Sequence, residues 1–189
     1  MKKLSLYIFL GLIWCNFVSA DSINDIKIEG ISVGDSALDY FSEKTIKQNS
    51  YSYNNKKFTR VQNDKFSWFK DYDAVDFHFK TGDSAYKIYS VAGIKFYDHN
   101  IEECYPFMDK VVAKIKNVLN TTKASKKNTT KHKGDKTGKS TFTQVGWELD
   151  QGYIVAICYD YSKEYGNQDH FEIAIDNKEL FKFLATDAY

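Results

Sequence analysis

The chain has 189 residues, 43% of them hydrophobic and 16% aromatic. That is enough for the core of one compact domain and too apolar for a disordered or collagen-like chain. Lys and Arg number 26 against 25 Asp and Glu, so bulk charge selects no partner. Of the 26 cations, 25 are Lys and one, Arg60, is Arg; specific nucleic-acid recognition favours the bidentate Arg fork, and the composition argues against it.

The start of the chain predicts a secretory signal over residues 1–20. Lys2 and Lys3 form a positive n-region, Leu4 to Trp14 an apolar run, and Val18-Ser19-Ala20 a small-residue cleavage site. The apolar run is too short to span a bilayer about 30 Å thick, and bulky Ile13 and Trp14 before Cys15 argue against lipidation. The expected mature chain begins at Asp21, has 169 residues, carries a net charge of −1 and holds no transmembrane segment. Its two cysteines, Cys104 and Cys158, are predicted to form a structural disulfide in an oxidising compartment, periplasmic or secreted.

In chain order, Ser36-Ala37-Leu38-Asp39 is a loose capping box, predicting a short helix with Leu38, Phe41 and Thr45 or Ile46 on one face. Val75, Phe77 and Phe79 alternate with Asp76, His78 and Lys80, a strand pattern. After turn residues Thr81-Gly82-Asp83-Ser84, the even positions of Tyr86 to Phe96 form one mostly apolar face of a long return strand. Met108, Val111, Ile115 and Val118 repeat at helical spacing. Pro106 is acceptable only in a first turn, so the helix is expected at about 105–119. A second hairpin joins Thr143, Val145, Trp147 and Leu149 through Asp150-Gln151-Gly152 to Tyr153–Tyr159, which is apolar on both faces and therefore central. Phe171, Ile173 and Ile175 mark a last strand, and Leu180, Phe181 and Leu184 a last helix at about 178–185. The order predicts one α+β domain over 21–189: an antiparallel sheet of about five to seven strands covered on one face by about three helices. It also admits two divergent halves of a helix and about three strands each.

Lys116 to Lys139 holds eight Lys and one Asp and is predicted as a flexible basic loop at about 120–141. Lys123, Lys126, Lys127, Lys131 and Lys133 are its candidate contacts to an anionic envelope component or an acidic protein.

Several motifs invite chemistry. Gly34-Asp35-Ser36-Ala37-Leu38 resembles the opening block of the GDSL (SGNH) esterases and lipases, which implies Ser36 as a nucleophile. The family's late D-x-x-H is not matched, because Asp169 and His170 are adjacent; the other role for Ser36 is a helix N-cap. Gly134 to Ser140 is one residue short of a phosphate-binding P-loop. Asp98, His99, Glu102, Glu103 and Cys104 cluster without the spacing of a defined metal motif, and no metal or other cofactor is expected. Tyr159, Tyr161 and Tyr165, with Asp160 and Glu164, are candidates for an aromatic rim suited to sugar or peptide contacts.

The block from Ile28 to Ser42, with Tyr86 to Tyr97 and Glu103-Cys104, resembles a group of secreted proteins of marine bacteria with AT-rich genomes. The resemblance implies a shared exported domain and no particular activity. Over about a dozen residues, Gly30-Ile31-x-x-Gly34-x-Ser36 is similar to the start of small outer-membrane assembly lipoproteins. These readings predict an exported binding or interaction protein rather than a catalyst, the alternative being a secreted GDSL-like serine hydrolase using Ser36.

Overall fold

The computed structural model describes residues 22–64, 66–119 and 122–188; the predicted signal segment lies outside them. The described residues form three α-helices, two short 3₁₀ turns and one eight-stranded antiparallel sheet. The strands are β1 (Ser50–Ser52), β2 (Phe58–Asp64), β3 (Ala74–Lys80), β4 (Ser90–Phe96), β5 (Asn128–Lys131), β6 (Thr141–Leu149), β7 (Gly152–Asp160) and β8 (His170–Asn177). The helices are α1 (Glu43–Gln48), α2 (Ile101–Val118) and α3 (Lys178–Thr186).

The sheet order is β1-β2-β3-β4-β8-β7-β6-β5. It consists of two four-stranded meanders, one after α1 and one after α2, joined where β4 pairs with β8. The first strand of each meander is an edge of the sheet. The class is the expected α+β, with more strands than expected: β1, β2 and β5 lie in segments whose composition is polar or mixed.

One face carries the main core. Val75 and Phe77 of β3, Val91 of β4, Phe171, Ile173 and Ile175 of β8, Ile154 and Ala156 of β7, and Trp147 of β6 are all buried in it. Helix α2 packs there through Met108 and Val112, and Cys104 is bonded to Cys158 of β7 with the two Cα atoms 6.0 Å apart. The helix begins earlier than predicted, at Ile101, so Pro106 stands beyond the first turn and removes one helical N–H. The predicted N-terminal helix divides in two. Ser36 caps the 3₁₀ turn Ala37–Asp39, whereas Ser42 accepts from Thr45 N and caps α1.

Helix α3 lies on the opposite face, so the helices do not all share one side. Leu180 and Phe183 are fully buried with Tyr53 and Phe58 in a second cluster at one end of that face. Phe181 stacks on Tyr153 at 3.8 Å. The segment predicted as one strand from Tyr86 to Phe96 also changes role midway. Tyr86, at φ 48°, and Ile88 belong to the main core in the approach to the strand. Within β4 it is odd-numbered Val91 that joins that core, while Ser90, Ala92 and Phe96 line a cleft on the α3 side.

Two glycines set close backbone contacts. A Cβ on Gly93 would lie 2.7 Å from the Tyr72 ring, and one on Gly152 would lie 2.0 Å from the Asp176 carbonyl oxygen.

Candidate functional site

Successive strand residues point to opposite faces, so register dictates what gathers on the α3 side. Arg60 of β2 aligns with His78 of β3, Ser90 of β4 and Asp176 of β8. The next row is Gln62, Asp76, Ala92 and Ala174. Beyond it, Ile94 is opposite Glu172 and Phe96 is opposite His170. Ser90, Ala92 and Ala174 are small, which leaves a hollow over the middle of the sheet instead of a packed layer. The hollow is a cleft of about 590 Å³.

Its two ends differ. Leu184 of α3 and Tyr53 close one, with Tyr53 Oη 2.9 Å from His78 Nε2. At the other stand Phe96, His132, Tyr159, Tyr161 and His170. The Tyr159 and Tyr161 rings are stacked, 5.6 Å apart and 2° from parallel, and Tyr161 stacks on Tyr165 at 5.5 Å. Of the candidate rim residues, Tyr159 and Tyr161 line this end of the cleft, whereas Tyr165, Asp160 and Glu164 are not part of its lining. A smaller hollow of about 400 Å³ shares Tyr53, Arg60 and Gln62 with it and continues toward β1.

The cleft is rich in titratable groups held away from water. Asp76 is 3% exposed and His78 7%. Arg60 Nε donates to Asp76 Oδ2, and the Arg60 guanidinium also donates to Gln62 at 3.3 Å. Neither Asp76 Oδ1 nor His78 Nδ1 has a hydrogen-bond partner among the described residues. Burial pushes the Asp76 carboxyl up to about 7; Arg60 pulls against this and the neighbouring Glu172 adds to it. Asp176 is likewise pushed up to about 7 by burial, moderated by a hydrogen bond from Ser90, and burial raises Glu172. Burial and then Arg60 push His78 down to about 3. His170 is also lowered by burial. Its Nδ1 is 3.0 Å from the Gln168 carbonyl oxygen, which can only accept, so Nδ1 carries the proton there.

The other predicted site residues lie elsewhere. Ser36 donates to the Ala85 carbonyl at 2.7 Å and accepts from Leu38 N, so both contacts are to backbone. The basic segment is not wholly loop: Asn128–Lys131 is β5, paired with β6 through Thr129 opposite Thr143, whose hydroxyls are 2.8 Å apart. Lys123, Lys126, Lys127, Lys131 and Lys133 are all exposed, and Lys127 is paired with Asp109 of α2 at 2.9 Å. The P-loop-like turn connects two strands. It is organised by Asp135, which accepts from Thr137 N, Ser140 N, Ser140 Oγ and Ser162 Oγ. Cys104 is committed to its disulfide, and no three His, Cys, Asp or Glu side chains gather to hold a metal among the described residues.

Sequence patterning puts Asp76 and His78 on the polar side of a strand without marking them as a site, and it treats Glu172 and Asp176 in the same way. The signal that could single them out is the lone Arg60 together with acidic residues at alternate positions of strands that are otherwise strongly apolar. Comparisons with protein-family models, curated proteins and solved structures find no match.

Proposed function

We propose that this chain is an exported, non-catalytic binding protein whose ligand sits in the cleft on the α3 side of the sheet. The observation that carries the reading is the pair of buried polar atoms in its wall, Asp76 Oδ1 and His78 Nδ1, which have no partner among the described residues. A buried polar atom left without a hydrogen bond costs about 1–3 kcal/mol, and such groups concentrate where a ligand completes them. A concave site with convergent polar groups and aromatic walls is the usual form of a small-molecule seat. The signal-like leader and the Cys104–Cys158 bond support export, because disulfides persist in oxidising compartments.

A thermal-shift screen of small polar molecules against the mature chain tests this. A ligand at about 100 times its Kd adds about 2.7 kcal/mol of stability. Compounds that raise the Tm of the wild type and fail to do so for Asp76→Asn or Glu172→Gln support the reading. Hits that stabilise both variants as well as the wild type, or no hits at all, contradict it.

The lysine-bearing edge has a separate role in this account. Its exposed side chains supply salt-sensitive, sequence-tolerant attraction to an anionic envelope surface. Replacing Lys123, Lys126, Lys131 and Lys133 by Ser is expected to abolish adsorption to anionic vesicles at low salt and leave ligand binding in the cleft unchanged. Adsorption that survives the substitutions contradicts this role.

A further inference from the structure

The geometry points to an organic cation, a primary amine or guanidinium group, as the ligand that the cleft holds against Asp76, Glu172 and Asp176; the inference rests on the cleft being a ligand seat. Three carboxyl groups line it against one arginine, and that arginine already donates to Asp76 and Gln62. The three histidines of the cleft add no compensating charge, since burial favours the neutral form of His78, His132 and His170. Burial also raises all three carboxyls, Asp76 and Asp176 to about 7, so it is above that pH that ionised carboxylates outnumber the one arginine, in a place where an uncompensated charge is expensive.

The hydrogen-bonding inventory points the same way. Ionised carboxylates only accept, whereas an ammonium offers three donors and a guanidinium five. Asp76 Oδ1 is an acceptor with no donor among the described residues, on a residue that is only 3% exposed. Glu172 and Asp176 lie on the same face of β8, on either side of Ala174, whose small side chain leaves room between them. An anionic ligand would meet three carboxyl groups, and a neutral polyol would leave their charge unbalanced. Tyr53, Phe96, Tyr159 and Tyr161 supply aromatic surface at both ends, and the negative face of such a ring attracts a cation.

The test is calorimetric titration of the mature chain at pH 8 and low salt. The cationic probes are agmatine, as a free amine and guanidine, and the peptides Gly-Lys-Gly and Gly-Arg-Gly, as basic side chains. Methyl glucoside and succinate serve as neutral and anionic probes. At least one cationic probe is expected to bind, and to bind at least tenfold more weakly to Glu172→Gln and to Asp176→Asn, with Lys110→Ser on α2 unchanged. Preference for agmatine over the peptides identifies a free small molecule, and the reverse a peptide side chain. Failure of every cationic probe, or equal binding by wild type and both carboxyl variants, overturns the inference. If the neutral or anionic probe binds instead and is lost in Asp76→Asn, the cleft remains the seat and only the cationic ligand falls. If no probe of any class binds, both readings fall.

Discussion

Arg60 and Asp76 meet across β2 and β3 through Arg60 Nε and Asp76 Oδ2, while the other Asp76 oxygen has no partner among the described residues. The only arginine of the chain thus satisfies one oxygen of a buried carboxylate in the cleft wall and leaves the other without a donor among the described residues. Removing Arg60 strands a buried carboxylate, but the Arg60 side chain is itself 39% exposed, so the loss is discounted from that of a fully buried pair to about 1–3 kcal/mol. Arg60→Ala is therefore expected to destabilise the protein by that order in urea unfolding. The loss is expected to be greater at pH 8 than at pH 5, because Arg60 is what holds the Asp76 pKa down against burial. An equal loss at both pH values would contradict the pairing.

Asp176 gives a pH dependence of definite sign. Its folded-state pKa is raised from 3.8 to about 7, so the folded protein binds this proton more tightly than the unfolded chain does. The resulting stability is present below about pH 4 and is lost as pH rises through about 7. Asp176→Asn keeps the shape and removes the titration. The variant is expected to match the wild type near pH 4 and to exceed it at pH 8 by up to about 4 kcal/mol, the linkage limit of such a shift. Denaturant unfolding at the two pH values checks it; a variant less stable than wild type at pH 8 would contradict the burial of a charge there.

Much of the scaffold is legible in the sequence because its residues obey one period and face one core. Val75, Phe77 and Phe79, the hairpin from Thr143 to Tyr159, the last strand and the Cys104–Cys158 pair all lie where sequence patterning puts them. β5 is not legible: Asn-Thr-Thr-Lys has no apolar face, and it is a strand because the free edge of β6 supplies its partners. β2 alternates too, but its apolar positions Phe58 and Val61 fall on different faces, so no period-2 stripe marks it. The cleft is hidden for a related reason. Polar residues on alternating strands normally face water, and only the strand order brings β3 and β8 to either side of β4, so that Asp76 and His78 confront Glu172 and Asp176 over small residues.

The disulfide ties α2 to an interior strand across a sequence separation of 54. On the chain-entropy account, closing a loop of that length contributes about 4 kcal/mol. The double variant Cys104→Ala, Cys158→Ala is expected to lose stability of that order in chemical denaturation, and adding reductant to the unfolded wild type is expected to reproduce most of the loss. A double variant within about 1 kcal/mol of wild type would contradict a stapling role.

Helix α3 closes one end of the cleft through a small cluster in which the Phe183 ring lies 5.1 Å from that of Tyr53 and 5.0 Å from that of Phe58. Phe183→Ala is expected to cost about 3–5 kcal/mol. It also releases Tyr53 from one side, so ligand affinity is expected to fall with stability. Unchanged stability in thermal unfolding would show that α3 is not part of the folded core.

The cleft over Ser90, Ala92 and Ala174 is central to this account as the place where a ligand binds. Two-dimensional amide NMR of the mature chain, titrated with agmatine, tests it most directly. The predicted result is a set of shifts concentrated at Ser90, Ala92, Glu172, Ala174 and Asp176. Shifts confined to the exposed face of α2 or to the lysine-bearing edge, or no shifts at all, would contradict it.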